Sequence, residues 1–305
     1  MPRPNPIRTW LQLFRAPNLL TVPGDPLAGY LLACFGVVEE KLWPAIAASV
    51  CFYAGGLLVN DLADLAEDRR ERPSRPLPSG AASVPAVAAV LVALFAFALY
   101  LCGTIDRTTL ATGGALLVAI VAYNCGSKRI PVVGVLNMGL CRGLSMLLGA
   151  TAVSHGELTY RLIGFGRLDH LVIAVGAVIA YIAAVTHLAR FETHAPPPAS
   201  AKWLPVAALT VGAAWFVAQL SPASQAATVP LFLIALVSAV QIALRLARDA
   251  ATPVPPEIGK LIRLLLLIQA AFCAAVGGVE GSLAAGLLVL LWPISRLLGR
   301  WFYAS

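Results

Sequence analysis

The chain has 305 residues, 59% hydrophobic and 12% charged, with a mean hydropathy of +0.82 and a formal net charge of +7. A soluble domain of this length needs far more polar surface, so the composition excludes one. The apolar runs are continuous and do not alternate, which excludes a membrane β-barrel.

Each run is about 20 residues, the length that crosses roughly 30 Å of hydrocarbon as a helix. The expected fold is all-α: a polytopic membrane helix bundle of nine or ten crossings, forming one domain over residues 1–305. Met1 to Pro17 lacks the apolar core and cleavage site expected of a signal peptide, and residues 1–16 read instead as an interfacial segment. They place Ile7, Trp10, Leu11 and Phe14 beside Arg8 and Arg15, the pattern of an interfacial amphipathic segment.

Crossings are predicted at about 18–38, 43–65, 83–103, 108–125, 131–153, 169–190, 202–220, 227–248, 258–278 and 281–302. The last two meet at "GGVEG", a very short turn, so a re-entrant hairpin with nine crossings is the alternative to ten. Seventeen of the 22 basic residues fall on the side that holds both termini. The positive-inside rule then puts that side in the cytoplasm. It also accounts for the net charge, which is not a nucleic-acid footprint. Arginine outnumbers lysine and alanine is abundant, a composition that points to a GC-rich bacterial genome, and so the expected location is a bacterial inner membrane. The six cysteines lie in or beside apolar runs without metal-ligand spacing and read as small packing residues.

The second crossing ends in "NDLADLAEDRRERPSRPLPSG", Asn60 to Gly80. If the helix continues, at about 100° per residue, Asn60, Asp61, Asp64 and Asp68 share one face and Glu67 points elsewhere. Clustered carboxylates resist ionising together unless a cation intervenes. Hard oxygen ligands in this pattern suit Mg²⁺, which binds one or two carboxylates plus substrate phosphate. A solvated helix end would explain Glu67, Asp68 and Glu71. It explains Asp61 and Asp64 badly, because a carboxylate near hydrocarbon is costly.

The Asn-Asp-x-x-Asp-x-x-x-Asp pattern resembles the first aspartate motif of the UbiA superfamily of intramembrane prenyltransferases. "RPLPSG", Arg75 to Gly80, resembles that motif's sequel. "RAPNLLT", Arg15 to Thr21, resembles the start of the family's first helix, and "YNCGSKR", Tyr123 to Arg129, the end of its fourth. The resemblance implies a helical bundle around a lipid-open cavity, with Mg²⁺ joining a prenyl diphosphate to two aspartate motifs at a cytoplasmic rim. It further implies transfer of a polyprenyl group to an aromatic or other electron-rich acceptor. On this reading Asp64 and Asp68 are the catalytic metal ligands, with Asn60 and Asp61 supporting. Asn18, Tyr123, Lys128, Arg129, Arg190 and Arg142 are candidates around the substrate.

The family's second aspartate motif is missing where the sixth crossing ends. "YIAAVTHLARFETHAPPP" has Thr186 and Arg190 in its place, followed by Glu192 and His194. The expectation is that Arg190 contacts the diphosphate directly, since guanidinium grips phosphate bidentately. Glu192 and His194 are secondary candidates for an ion.

Two intramembrane charges of opposite sign stand out, Asp25 in "TVPGDP" and Arg142 in "NMGLCRGL". They are expected to pair structurally; otherwise Arg142 and Asn137 help hold the diphosphate or the acceptor. "NMGLCRGL" also resembles a divergent UbiA branch found in bacterial secondary-metabolite clusters of the Ebo type. Two other functions stay open. The break in the first crossing suits a transporter with discontinuous helices, although no matching break is read in the second half. The missing second motif suits a catalytically inactive relative that binds isoprenoids.

Overall fold

The computed structural model describes residues 5–34, 38–153, 168–192, 196–249 and 251–301. These residues form helices α1 (Pro6–Leu13), α2 (Ala16–Leu19), α3 (Gly24–Cys34), α4 (Leu42–Ala63), α5 (Leu65–Glu71), α6 (Val84–Ile105), α7 (Arg107–Cys125) and α8 (Pro131–Thr151). The chain continues through α9 (Leu168–Ala189), α10 (Ala199–Ala218), α11 (Pro222–Arg248), α12 (Val254–Arg263), α13 (Leu265–Val276) and α14 (Gly278–Trp301). Among the described residues nine helices are long and apolar enough to cross a membrane, counting α12 and α13 as one. The broken segment through α2 and α3 is the further crossing read from the sequence.

The helix starts follow local chemistry. Ser83 accepts a hydrogen bond from the Ala86 amide ahead of α6, and Asp106 accepts one from the Thr109 amide, at 2.7 Å, ahead of α7. Such caps satisfy amides that a helix start leaves open. Gly277 and Gly278, with φ of 76° and 70°, make the tight turn between α13 and α14 that "GGVEG" predicts.

The bundle is layered by exposure. Helix α6 turns Val92, Phe97 and Tyr100 outward, as a lipid-facing helix must. Helix α13 is its opposite: Leu265 through Ala275 are all buried, against α14, α11 and α3. Alongside, α3 and α8 meet backbone to backbone. A Cβ on Gly29 would overlap the Met146 carbonyl, and one on Gly149 the Pro26 carbonyl. Small residues permit this approach in a membrane, where dispersion and close packing replace the hydrophobic drive.

Two crossings are interrupted. The first breaks between Leu19 and Gly24, and Ser295 Oγ from α14 donates to the Pro17 carbonyl there at 2.7 Å. The ninth divides at Leu264, just past the point where Tyr181 Oη takes the Leu261 carbonyl at 2.8 Å. A side chain inserted into the helical ladder is a recognised cause of bending. Helix α1 lies outside the bundle. Its Leu13, with Trp10 and Phe14, packs on Leu58, Leu77 and Val87, and Ile7 stays 70% exposed. Arg15 then turns the chain into α2 with φ of 44°, the sole non-glycine residue at positive φ among the described residues. A left-handed conformation costs an arginine roughly 1–2 kcal/mol.

Candidate active site

A cavity of about 350 Å³ opens between the ends of α4, α7, α8, α9 and α12 and the broken first crossing. Its mouth is lined by Arg15, Asn60, Asp64, Glu67, Asp68, Arg72, Arg75 and Glu192. Deeper in, Phe52, Leu57, Leu116, Ile120, Ile182 and Ile258 make an apolar wall. The result is a charged rim over a greasy sac, within helices that span a bilayer.

Four carboxylates at the rim, Asp61, Asp64, Asp68 and Glu192, each face a cation. Arg75 Nη1 donates to both Asp68 oxygens, at 3.0 and 2.8 Å. Lys128 pairs with Asp64, Arg15 Nη2 lies 3.6 Å from Asp61, and Arg72 Nη2 lies 3.9 Å from Glu192. Burial raises the Glu192 carboxyl above its ordinary value, and Arg72 opposes that shift. Local structure explains how Asp64 and Asp68 reach the rim together. Helix α4 ends at Asp64, but the Asp64 amide still bonds to Asn60 and the Asp68 amide to Asp64. The helical path therefore carries on into α5.

The deep end of the cavity is polar again. Arg142 Nε sits 2.8 Å from Asp25 Oδ2, and Arg142 Nη2 donates to the Thr21 carbonyl at 3.0 Å. Gln269 donates to the same carbonyl at 2.9 Å and also to Asp25. The Thr21 carbonyl is free for two side-chain donors because the helix is broken there. The Arg142 guanidinium lies 5.8 Å from the centre of the Tyr53 ring, and Ser49 Oγ bonds Ser145 Oγ at 2.6 Å. Asp25 and Arg142 thus form the structural pair expected of them.

The residues singled out in the sequence divide into two groups. Asn18, Asn60, Asp64, Asp68, Tyr123 and Arg142 line the cavity. Asp61 turns to Arg15, and Lys128 reaches the site through Asp64. Arg129 is exposed and outside the lining, and so is Arg190, which was expected to touch the diphosphate. Thr186 and Glu192, from the same segment, line the cavity instead, because α9 ends at Ala189 and the following turn swings Glu192 inward. His194 lies outside the described residues. Glu67 also differs from expectation: it lines the mouth rather than pointing away. Asn137 is structural, donating to the Ala119 carbonyl and to Ser127 Oγ.

Several lining residues were not singled out. Arg15, Arg72 and Arg75 read as topology-setting charges, yet all three face the cavity. The signal for Arg15 and Arg75 was present in "RAPNLLT" and "RPLPSG", where each opens the matched stretch. Asn124 lies within the matched stretch "YNCGSKR" but was not singled out there. It donates to Ile120 within α7 and leaves its buried Oδ1 without a partner.

The donor chemistry fits a hard cation. Asn60, Asp64, Asp68 and Glu192 line one cavity and carry hard oxygen donors. Among the described residues no three Asp, Glu, His or Cys side chains gather into a self-sufficient metal cage.

Comparison with known proteins bears on the same site. The UbiA prenyltransferase family matches residues 26–305. A digeranylgeranylglyceryl phosphate synthase of Methanothrix thermoacetophila is 29% identical over 154 residues, 50% of this chain and 57% of that protein. One of Methanopyrus kandleri is 32% identical over 149 residues, 47% of this chain and 53% of that protein. The chain thus spans about half the length of these curated relatives. Among solved structures, an apo UbiA homologue from Aeropyrum pernix K1 superposes with a TM-score of 0.64 at 19% identity, covering 83% of this chain and 96% of that one. A UbiA homologue from Archaeoglobus fulgidus, bound to GPP and Mg²⁺, gives 0.62 at 14% identity, covering 94% and 99%. At these identities the structures speak for the fold, and the family match over most of the sequence speaks for membership. This chain is an integral membrane protein that belongs to the UbiA prenyltransferase family.

Proposed function

We propose that the protein is a Mg²⁺-dependent intramembrane prenyltransferase, moving a prenyl group from a prenyl diphosphate to an aromatic or other electron-rich acceptor. The observation that carries this reading is the charged rim over an apolar sac inside the bilayer. A prenyl diphosphate has the same division, a polyanionic head and a hydrocarbon tail. The relatives' name and the GPP and Mg²⁺ bound by the Archaeoglobus homologue support it.

Asn60, Asp64 and Asp68 would hold the ion, with Glu192 lining the same cavity. Bound Mg²⁺ supplies positive charge to the leaving diphosphate as the allylic C–O bond breaks. The chain's own residues prepare that step. Arg75, Lys128 and Arg72 are held at the rim by Asp68, Asp64 and Glu192, where they could donate to the oxygens of an entering diphosphate. Asp64 and Asp68 would then be free to hold the ion. Tyr123 and Asn18 border the head-group region. The apolar wall keeps water from the allylic cation, which would otherwise be quenched before the acceptor attacks.

The positive-inside count supports a cytoplasmic rim and cytoplasmic termini. A bacterial membrane is supported by composition alone, whereas the curated relatives named above are archaeal. The deciding experiment incubates purified protein with prenyl diphosphates of several lengths, with and without Mg²⁺, and follows diphosphate release. Mg²⁺-dependent release that is lost in Asp64→Ala and Asp68→Ala is the expected result. No release, and no effect of either substitution, would sink the reading.

A further inference from the structure

Helix α12 gives the cavity Pro255, Ile258 and Ile262, but its last residue, Arg263, is not part of the lining. The Arg263 side chain lies against α14 instead. A Cβ on Gly299 would come within 3.2 Å of Arg263 Nη1, so the guanidinium rests on the α14 backbone where glycine leaves room, two residues before that helix ends. Arg263 is 7% exposed. Its Nε and Nη1 are buried without a hydrogen-bond partner, and it forms no ion pair among the described residues.

The surrounding charges leave it unbalanced. Arg296, exposed on α14, acts on Arg263 with the same sign, and Glu257 with the opposite one. Glu257 is already paired with Lys260. Three cations thus share one carboxylate at the seam between α12 and α14. An arginine cannot shed its proton to escape, and a buried charge without an acceptor is costly. An anion with several oxygens removes that cost, and phosphate matches the guanidinium fork bidentately. Beside the seam α14 turns Leu290, Ile294 and Leu297 outward, 65%, 46% and 53% exposed and spaced along one helix face. In a bilayer, hydrocarbon covers such a face. A phosphate that carries acyl chains uses both features, whereas free phosphate uses only one.

We infer that the seam between α12 and α14 binds the phosphate head group of an anionic lipid, with Arg263 as the buried grip and Arg296 as the outer contact. Basic pockets between membrane helices on the cytoplasmic side suit such head groups. The site is separate from the cavity and independent of what the cavity binds. A lipid there ties α12, which walls the cavity, to α14, which holds the broken first crossing through Ser295 and the Pro17 carbonyl. A ligand that binds only the folded protein stabilises it by mass action.

The test is a thermal-unfolding and native mass spectrometry series on the full-length protein in detergent micelles, with no prenyl compound added. Phosphatidylglycerol, phosphatidylcholine and inorganic phosphate are compared, the two lipids at equal mole fraction. Phosphatidylglycerol is expected to raise the unfolding midpoint by several degrees and to stay bound, with little effect of the other two. Arg263→Gln should weaken phosphatidylglycerol binding about tenfold and abolish the shift. Arg296→Gln, at an exposed position, should weaken binding several-fold. Arg190→Ala, exposed elsewhere, should keep the full shift. Equal shifts from the two lipids overturn the site, and an equal shift from inorganic phosphate overturns a lipid as its occupant. Wild-type shifts in both arginine-to-glutamine variants, or the same loss in Arg190→Ala, overturn it as well. Should Arg263→Gln fail to fold, Arg296→Gln decides.

Discussion

Arg142 on α8 holds Asp25 on α3 through an Nε–Oδ2 contact of 2.8 Å, with the Asp25 side chain fully buried and that of Arg142 8% exposed. Removing one member leaves the other as an uncompensated charge in the middle of the bundle. Asp25→Leu and Arg142→Met should each destabilise the protein by about 3–5 kcal/mol, and the double variant should recover much of that loss. Thermal unfolding in detergent checks this. A double variant as unstable as the worse single one would show that Thr21 and Gln269, rather than the ion pair, dominate.

Asp64→Ala and Asp68→Ala should each lower the rate of diphosphate release by about 10²–10³-fold, because the charge on the leaving group loses its counter-ion. Chelating Mg²⁺ from the wild type should give the same loss, restored by adding the ion back. Both effects are read in one coupled assay of released diphosphate.

Glu192 and Arg190 make opposed predictions from the same turn. Glu192 lines the cavity beside Arg72, whereas Arg190 is exposed and outside it. Glu192→Gln should raise the Mg²⁺ concentration needed for half-maximal release by about tenfold, with the neutral amide a poorer ligand. Arg190→Ala should stay within about twofold of wild type, as exposed substitutions usually do. A Mg²⁺ titration of the two variants tests both, and a large loss in Arg190→Ala would mean that the turn rearranges around substrate.

Gly149→Ala places a methyl group against the Pro26 carbonyl, where the backbones of α8 and α3 already touch. Overpacking of this kind should cost about 1–3 kcal/mol. Gly176→Ala has open space around it and should cost nothing comparable. The difference in melting temperature between the two variants is the measurement.

Much of the protein is legible along the chain. Hydrophobic run length specifies the crossings, because the bilayer fixes how many helical residues must be apolar. The charge cluster after the second crossing marks the rim, because Asp64 and Asp68 reach one face by helical period alone. The Asp25–Arg142 pair follows from the cost of lone charges in hydrocarbon. None of these requires knowing which helix neighbours which. The tertiary structure decided the rest. The turn after α9 selected Glu192 over Arg190, by a change of direction that periodicity does not encode. Arg15, Arg72 and Arg75 became cavity residues because two segments distant in sequence, the start of α2 and the loop after α5, converge on one mouth. The break at Leu264 lies beside the Leu261 carbonyl that Tyr181, eighty residues earlier, takes as an acceptor. The polar cluster of Arg142, Asp25, Thr21 and Gln269 belongs to the same class: it exists only where α3, α8 and α13 meet, and lateral packing, which fixes that meeting, has no period in the sequence.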